Sequence, residues 1–124
     1  MSYFSMTLLL TVCYMVFALN STALAQDTPA INCGKAESQV EDTICQSQEL
    51  MAMDRDIAAL YDEARANSDP SEKEDILNDQ RAFLARREAC VEELNSAHPG
   101  VGLYECIRNV MQRRSKALRH LTEE

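Results

Sequence analysis

Four cysteines, Cys33, Cys45, Cys90 and Cys106, punctuate a short stretch of chain that otherwise reads as helix, and no other feature constrains the fold as tightly. A domain of this size buries too little apolar surface to be secure through packing alone, so an even set of cysteines in an exported chain reads as a disulfide framework. Four cysteines allow three pairings. Cys90 and Cys106 flank a Pro- and Gly-containing break, so a helix hairpin across it would bring them together. Cys33 stands just ahead of a short helix that Cys45 ends, and the Cys33-Gly34-Lys35 start can fold back along that helix. The favoured framework is Cys33–Cys45 with Cys90–Cys106. In the chain-entropy model each such loop stabilises by about 3 kcal/mol, against a net stability of roughly 5–15 kcal/mol for a whole domain. Zinc fits poorly, because no two cysteines have a C-x-x-C spacing and His98 and His120 are isolated from them. No metal and no cofactor is expected.

Export is read from residues 1–25, which hold no Asp, Glu, Lys, Arg or His. Met6 to Leu19 is apolar except for Thr7, Thr11 and Tyr14, and Ala23-Leu24-Ala25 is the small-x-small pattern of a cleavage site. The run falls short of the roughly 20 residues of a membrane-spanning helix. Residues 1–25 are therefore expected to be a cleaved signal peptide, although no Lys or Arg precedes the apolar run. Cys13 follows Val12 and the apolar run continues to Leu19, so it leaves with the leader rather than carrying lipid. The expected location is periplasmic or secreted, with no stable membrane anchor. All 20 acidic and 12 basic residues lie beyond the leader, giving a formal charge of −8. That balance argues against nucleic acid, whose binding needs clustered Lys and Arg, and favours encounter with basic partners.

Residues 26–35 form a polar, Pro-containing lead-in that is expected to be flexible, and residues 36–124 a single helical domain. Gly and Pro fall between periodic segments, and no stretch alternates apolar and polar residues long enough for a half-buried strand. Ser38, with Glu41 three residues on, is a capping box opening a short helix to about Cys45. Ser47 opens a second helix, in which Leu50, Met53, Ile57, Leu60, Tyr61 and Ala64 recur at three- and four-residue steps until Asn67-Ser68. Asp69, Pro70 and Glu72 start a third, carrying Ile76, Leu77, Phe83, Leu84, Cys90, Val91 and Leu94. Residues 95–102 break the pattern. A fourth helix then carries Leu103, Tyr104, Ile107, Val110, Met111, Leu118 and Leu121. The expected fold is all-α, a disulfide-stapled bundle of about four helices, one short and three longer.

Asp54, Gln80 and Arg87 fall on or beside these apolar faces, and charges so near a core need partners. The structural expectation is an ion pair between Asp54 and Arg87, helped by Gln80 or Tyr61; the functional alternative is that these groups line a partner-binding surface. The arginines from Arg113 to Arg119 and the acids from Asp62 to Asp79 read as solvated helix faces. His98, Pro99 and Gly100 lie in a loop held between two helices if Cys90 and Cys106 are joined. A pre-organised loop docks at lower entropic cost, so these three are the candidate partner-binding loop. No Gly-rich phosphate loop, H-E-x-x-H, nucleophile elbow or Ser/His/Asp arrangement stands out, so no enzyme is expected.

Three stretches resemble the LprI-type lysozyme-inhibitor family. They are Cys33 with Glu41-Asp42-Thr43-Ile44-Cys45, then Leu50-Met51-Ala52-Met53-Asp54 with Ile57 and Tyr61, then the run from Gln80 to Cys90. The last is similar to the family's Gln-x-x-aromatic-Leu-x-x-Arg-x-x-Cys signature, through Gln80, Phe83, Leu84, Arg87 and Cys90. Cys106-Ile107, Arg114 and Leu118 extend the resemblance into the last helix. It marks Glu41, Asp54, Tyr61, Gln80, Arg87 and Arg114 as motif positions. Phe83 stands where a tryptophan is more usual, Met111 where an aromatic is common and Ser115 where an aliphatic is common. The last two are expected to loosen the final helix. The resemblance implies a secreted or periplasmic, non-catalytic protein that binds and inhibits lysozyme, an acidic domain meeting a basic enzyme. The alternative is a cell-envelope interaction or structural module with a different protein partner.

Overall fold

A computed structural model describes residues 30–95 and 102–123. Within them a short 3-10 helix (Cys33–Lys35) precedes five α-helices: α1 (Gln39–Cys45), α2 (Gln48–Ala66), α3 (Pro70–Glu88), α4 (Cys90–Asn95) and α5 (Leu103–Thr122). The first three starts are set by side chains that satisfy open backbone N–H groups. Ser38 Oγ accepts from the Glu41 N–H, Ser47 Oγ from Leu50, and the Asp69 carboxylate from Ser71 and Glu72. Pro70 in the first turn and Glu72, accepting from the Asp69 N–H, complete the capping box of α3. In α1 the reciprocal half is shifted by one residue, since Glu41 accepts from the Glu37 N–H rather than from Ser38.

The fold is all-α, with both favoured disulfides in place. Cys33–Cys45 and Cys90–Cys106 join Cα atoms 5.6 Å and 5.7 Å apart. The third helix departs from expectation. The helical path turns at Ala89, whose N–H still reaches the Ala85 carbonyl while the Glu92 N–H closes only on Ala89. Cys90–Asn95 is thus a separate helix, packed on α1 and α5 as well as α3. No Gly or Pro marks this turn, so apolar periodicity runs straight through it. The end of the lead-in is attached at two points: the Ile31 N–H donates to Asp54 Oδ2 at 2.7 Å, and Cys33 is stapled to α1. The leader at 1–25 and the loop bearing His98, Pro99 and Gly100 lie outside the described residues.

The seam between α2 and α5 is the most extensive helix contact. Glu49 meets Tyr104 and Arg108, and Asp56 meets Ser115 and Arg119, so the two helices run in the same direction. Gln80 meets Arg114 and Cys90 meets Cys106, so α3 runs against α5 and α4 begins beside the first turn of α5. The core takes Val40 and Ile44 from α1, Leu50, Ile57, Tyr61 and Ala64 from α2, Phe83 from α3, and Ile107, Met111 and Leu118 from α5. Full burial of such aliphatic and aromatic side chains is worth about 1.5–3 kcal/mol each before entropy is counted. Met111 is fully enclosed and Ser115 Oγ donates to Asp56 Oδ2 at 3.2 Å, so neither position shows the looseness expected of the last helix. No helix among the described residues is long and apolar enough to cross a membrane.

Candidate functional site

Each of the three long helices carries polar residues in the register of its buried stripe. The stripe of α2 reads Leu50, Asp54, Ile57, Tyr61; that of α3 reads Ile76, Gln80, Phe83, Arg87; that of α5 reads Ile107, Val110, Arg114, Leu118. Asp54, Gln80, Arg87 and Arg114 are only 7, 2, 5 and 7 % exposed. They form two separate links. Arg87 Nη1 donates to Asp54 Oδ1 at 3.1 Å, and the second oxygen of that carboxylate holds the Ile31 N–H. The Arg87 guanidinium also lies 5.5 Å from the Phe83 ring centre, a favourable cation–π distance. The expected ion pair is therefore present, but Gln80 and Tyr61 do not support it. Gln80 Oε1 instead accepts from Arg114 Nε at 2.8 Å. Tyr61 Oη accepts from Arg65 Nη1 at 3.4 Å, under the same guanidinium.

A cleft of about 350 Å³ opens beside the first link. Glu41, Asp54, Gln80 and Arg87 all line it, with Ile31 and Phe83 among its apolar walls. It gathers motif positions from α1, α2 and α3; Tyr61 and Arg114 lie elsewhere. A second cleft, of about 370 Å³, is lined by α3 and α5 residues: Asp79, Arg86, Val110, Arg113, Arg114 and Ala117. Arg87 Nε and Arg114 Nη2 are both buried without an acceptor. Burial pushes the Arg114 guanidinium below its ordinary pKa, Asp79 draws it back up and Arg86 pushes it down again. Arginine nonetheless stays charged at any pH a protein meets.

A third feature has no signature in the sequence. Glu49 Oε1 accepts from Arg108 Nε and Oε2 from Tyr104 Oη, both at 2.7 Å. Arg108, and then Tyr104, holds the Glu49 carboxyl below the usual carboxylate range, while Glu49 pushes the Tyr104 phenol up. Spacing places Tyr104 and Leu121 on the apolar stripe of the last helix, yet both are exposed. Arg119 is likewise more than a solvated charge, since its Nη2 reaches Asp56 Oδ2 at 2.5 Å. These partners are more than fifty positions apart, and only the parallel docking of α2 and α5 brings them together.

The sequence model of the family described as Lysozyme inhibitor LprI matches residues 31–118. No curated protein and no solved structure matches the chain. The matched span opens at the residue whose N–H is held by Asp54 and closes at Leu118, a fully buried residue of α5. It thus takes in both disulfides and both buried arginine links. The chain belongs to the LprI lysozyme-inhibitor family.

Proposed function

We propose that this protein is an exported, non-catalytic inhibitor that binds lysozyme and keeps it from its cell-wall substrate. The family match over residues 31–118 carries the reading. Two disulfides suit an oxidising compartment, and the leader expected at residues 1–25 would deliver the chain there. A formal charge of −8 favours rapid encounter with a basic enzyme. Lysozyme works through a pair of carboxyl groups flanking the bond it cleaves, so a rigid body seated over its cleft suffices to stop it. Binding alone accounts for inhibition, with no covalent step.

The test is titration of the purified, oxidised protein into a lysozyme assay on cell-wall substrate. Activity should fall to near zero at matched stoichiometry, and the inhibition should weaken as salt screens the long-range attraction. Undiminished lysozyme activity in a large molar excess of folded protein would overturn the reading.

A further inference from the structure

Asp54, Arg87 and Arg114 are the buried charged residues among those described. Asp54 and Arg87 neutralise one another. Arg114 has only the neutral amide of Gln80, and among the described residues no carboxylate stands within ion-pair distance of it. Its Nη2 lacks an acceptor and is shut off from solvent, so it adds to the cost of burying the charge without itself being open to an outside ligand. A guanidinium held this way is costly unless something else completes it. The surroundings add to that cost. The cleft lined by α3 and α5 sets Arg86 and Arg113 beside Arg114, three guanidiniums against the single carboxylate of Asp79. Neither Arg86 nor Arg113 is ion-paired among the described residues, although acidic residues outnumber basic ones 20 to 12.

We propose that this cleft is a carboxylate site, taking an Asp or Glu side chain of the protein partner between Arg86, Arg113 and Arg114. That the partner is a protein rests on the inhibitory reading above. A carboxylate fits because it is planar, accepts several N–H bonds at once and supplies the missing negative charge. Val110 and Ala117 give the cleft apolar walls, which lower the local dielectric and strengthen such bonds. The two scales of charge act in sequence. The acidic domain is drawn to a basic enzyme as a whole, and the cleft then selects a carboxylate on its surface.

The test uses the oxidised protein and its Arg86→Ala/Arg113→Ala double variant, since both side chains are exposed and can be removed without touching the core. Arg81→Ala, exposed and outside the cleft, controls for the loss of one positive charge. Matched circular dichroism and thermal midpoints establish that each variant is folded. In the first arm sodium acetate is titrated at constant ionic strength while the arginine side-chain N–H signals are followed by NMR. Arg86, Arg113 and Arg114 should shift saturably in the wild type, and Arg114 should lose saturation in the double variant. In the second arm lysozyme inhibition is measured. The double variant is the more acidic protein, so overall attraction to a basic enzyme would leave inhibition equal or stronger. The cleft predicts the opposite sign, a rise of about tenfold or more in the concentration giving half inhibition. Acetate shifts that never saturate, or inhibition undiminished in the double variant, overturn the proposal. If the wild type itself leaves lysozyme active, the inhibitory reading falls, while saturation at the three arginines or its absence still decides the carboxylate site.

Discussion

Arg87 and Arg114 are buried in the same small core, yet the protein provides for them in opposite ways. Arg87 is met by a carboxylate, lies over Phe83, and through Asp54 is joined to the Ile31 backbone. One acidic side chain thus ties together the lead-in, α2 and α3. Arg114 is met by an amide, with Asp79 near enough to favour its charge and Arg86 near enough to oppose it, and neither within ion-pair distance. A fold that places Asp54 opposite one buried guanidinium has no difficulty of principle in placing an acid opposite the other. The contrast separates two uses of a buried cation. Neutralised within the chain, it locks helices together; left without an ion pair beside a cleft, it keeps its attraction for something outside.

The largest expected effect breaks the first link. Asp54→Ala leaves Arg87 buried without a counter-charge and frees the Ile31 N–H, and should cost about 3–5 kcal/mol in denaturant unfolding. Replacing both partners, Asp54→Leu with Arg87→Met, should cost far less, because no charge is then stranded. A loss below about 1 kcal/mol for Asp54→Ala would put the pair on a par with surface contacts and erase the distinction. A smaller effect should come from making the second link resemble the first. Gln80→Glu supplies Arg114 with a carboxylate, and charge-assisted hydrogen bonds are roughly twice as strong as neutral ones, so a gain of about 1 kcal/mol is expected. The same change should abolish acetate saturation at Arg114. Lower stability with acetate binding intact would mean that Arg114 is not short of a counter-charge.

Much of this architecture is legible in the sequence where the governing interaction is local. Ser38, Ser47 and Asp69 announce helix starts because a cap acts within three residues. The disulfides are legible because each joins the two ends of a short excursion, 12 and 16 positions apart. The Asp54–Arg87 pair is legible for a different reason: each charge interrupts an apolar stripe, and a buried charge needs its opposite. The choice of Arg114 by Gln80 is not legible, since it depends on how α5 is rotated against α3. For the same reason Arg113 and Arg114 read as members of a solvated face, and Arg86 as no more than a place in a motif run, until two helices bring them to one cleft. The turn at Ala89 is hidden because it changes hydrogen bonding without changing residue type.

The Glu49–Arg108 pair isolates what burial contributes to this contrast. It has the chemistry of Asp54–Arg87 at a shorter distance, 2.7 Å against 3.1 Å, but its arginine and glutamate side chains are 35 % and 50 % exposed. Solvent screens it, so Glu49→Gln should lower stability by only a small fraction of the Asp54→Ala loss, despite the closer contact. Its pH dependence has a definite sign. Arg108 and Tyr104 hold the folded-state Glu49 pKa below its unfolded value, so the contribution is complete above the unfolded value and is lost as pH falls through the folded one. Thermal midpoints of wild type and Glu49→Gln should therefore differ slightly at neutral pH and low salt. They should converge on acidification below the ordinary glutamate range, where the wild-type carboxyl takes up its proton, and also at high salt. A gap as large as that of Asp54→Ala, or one that persists unchanged into acid, would mean that contact distance rather than burial sets the worth of these pairs. The two buried arginines would then owe their different behaviour to something other than the charge each has been given.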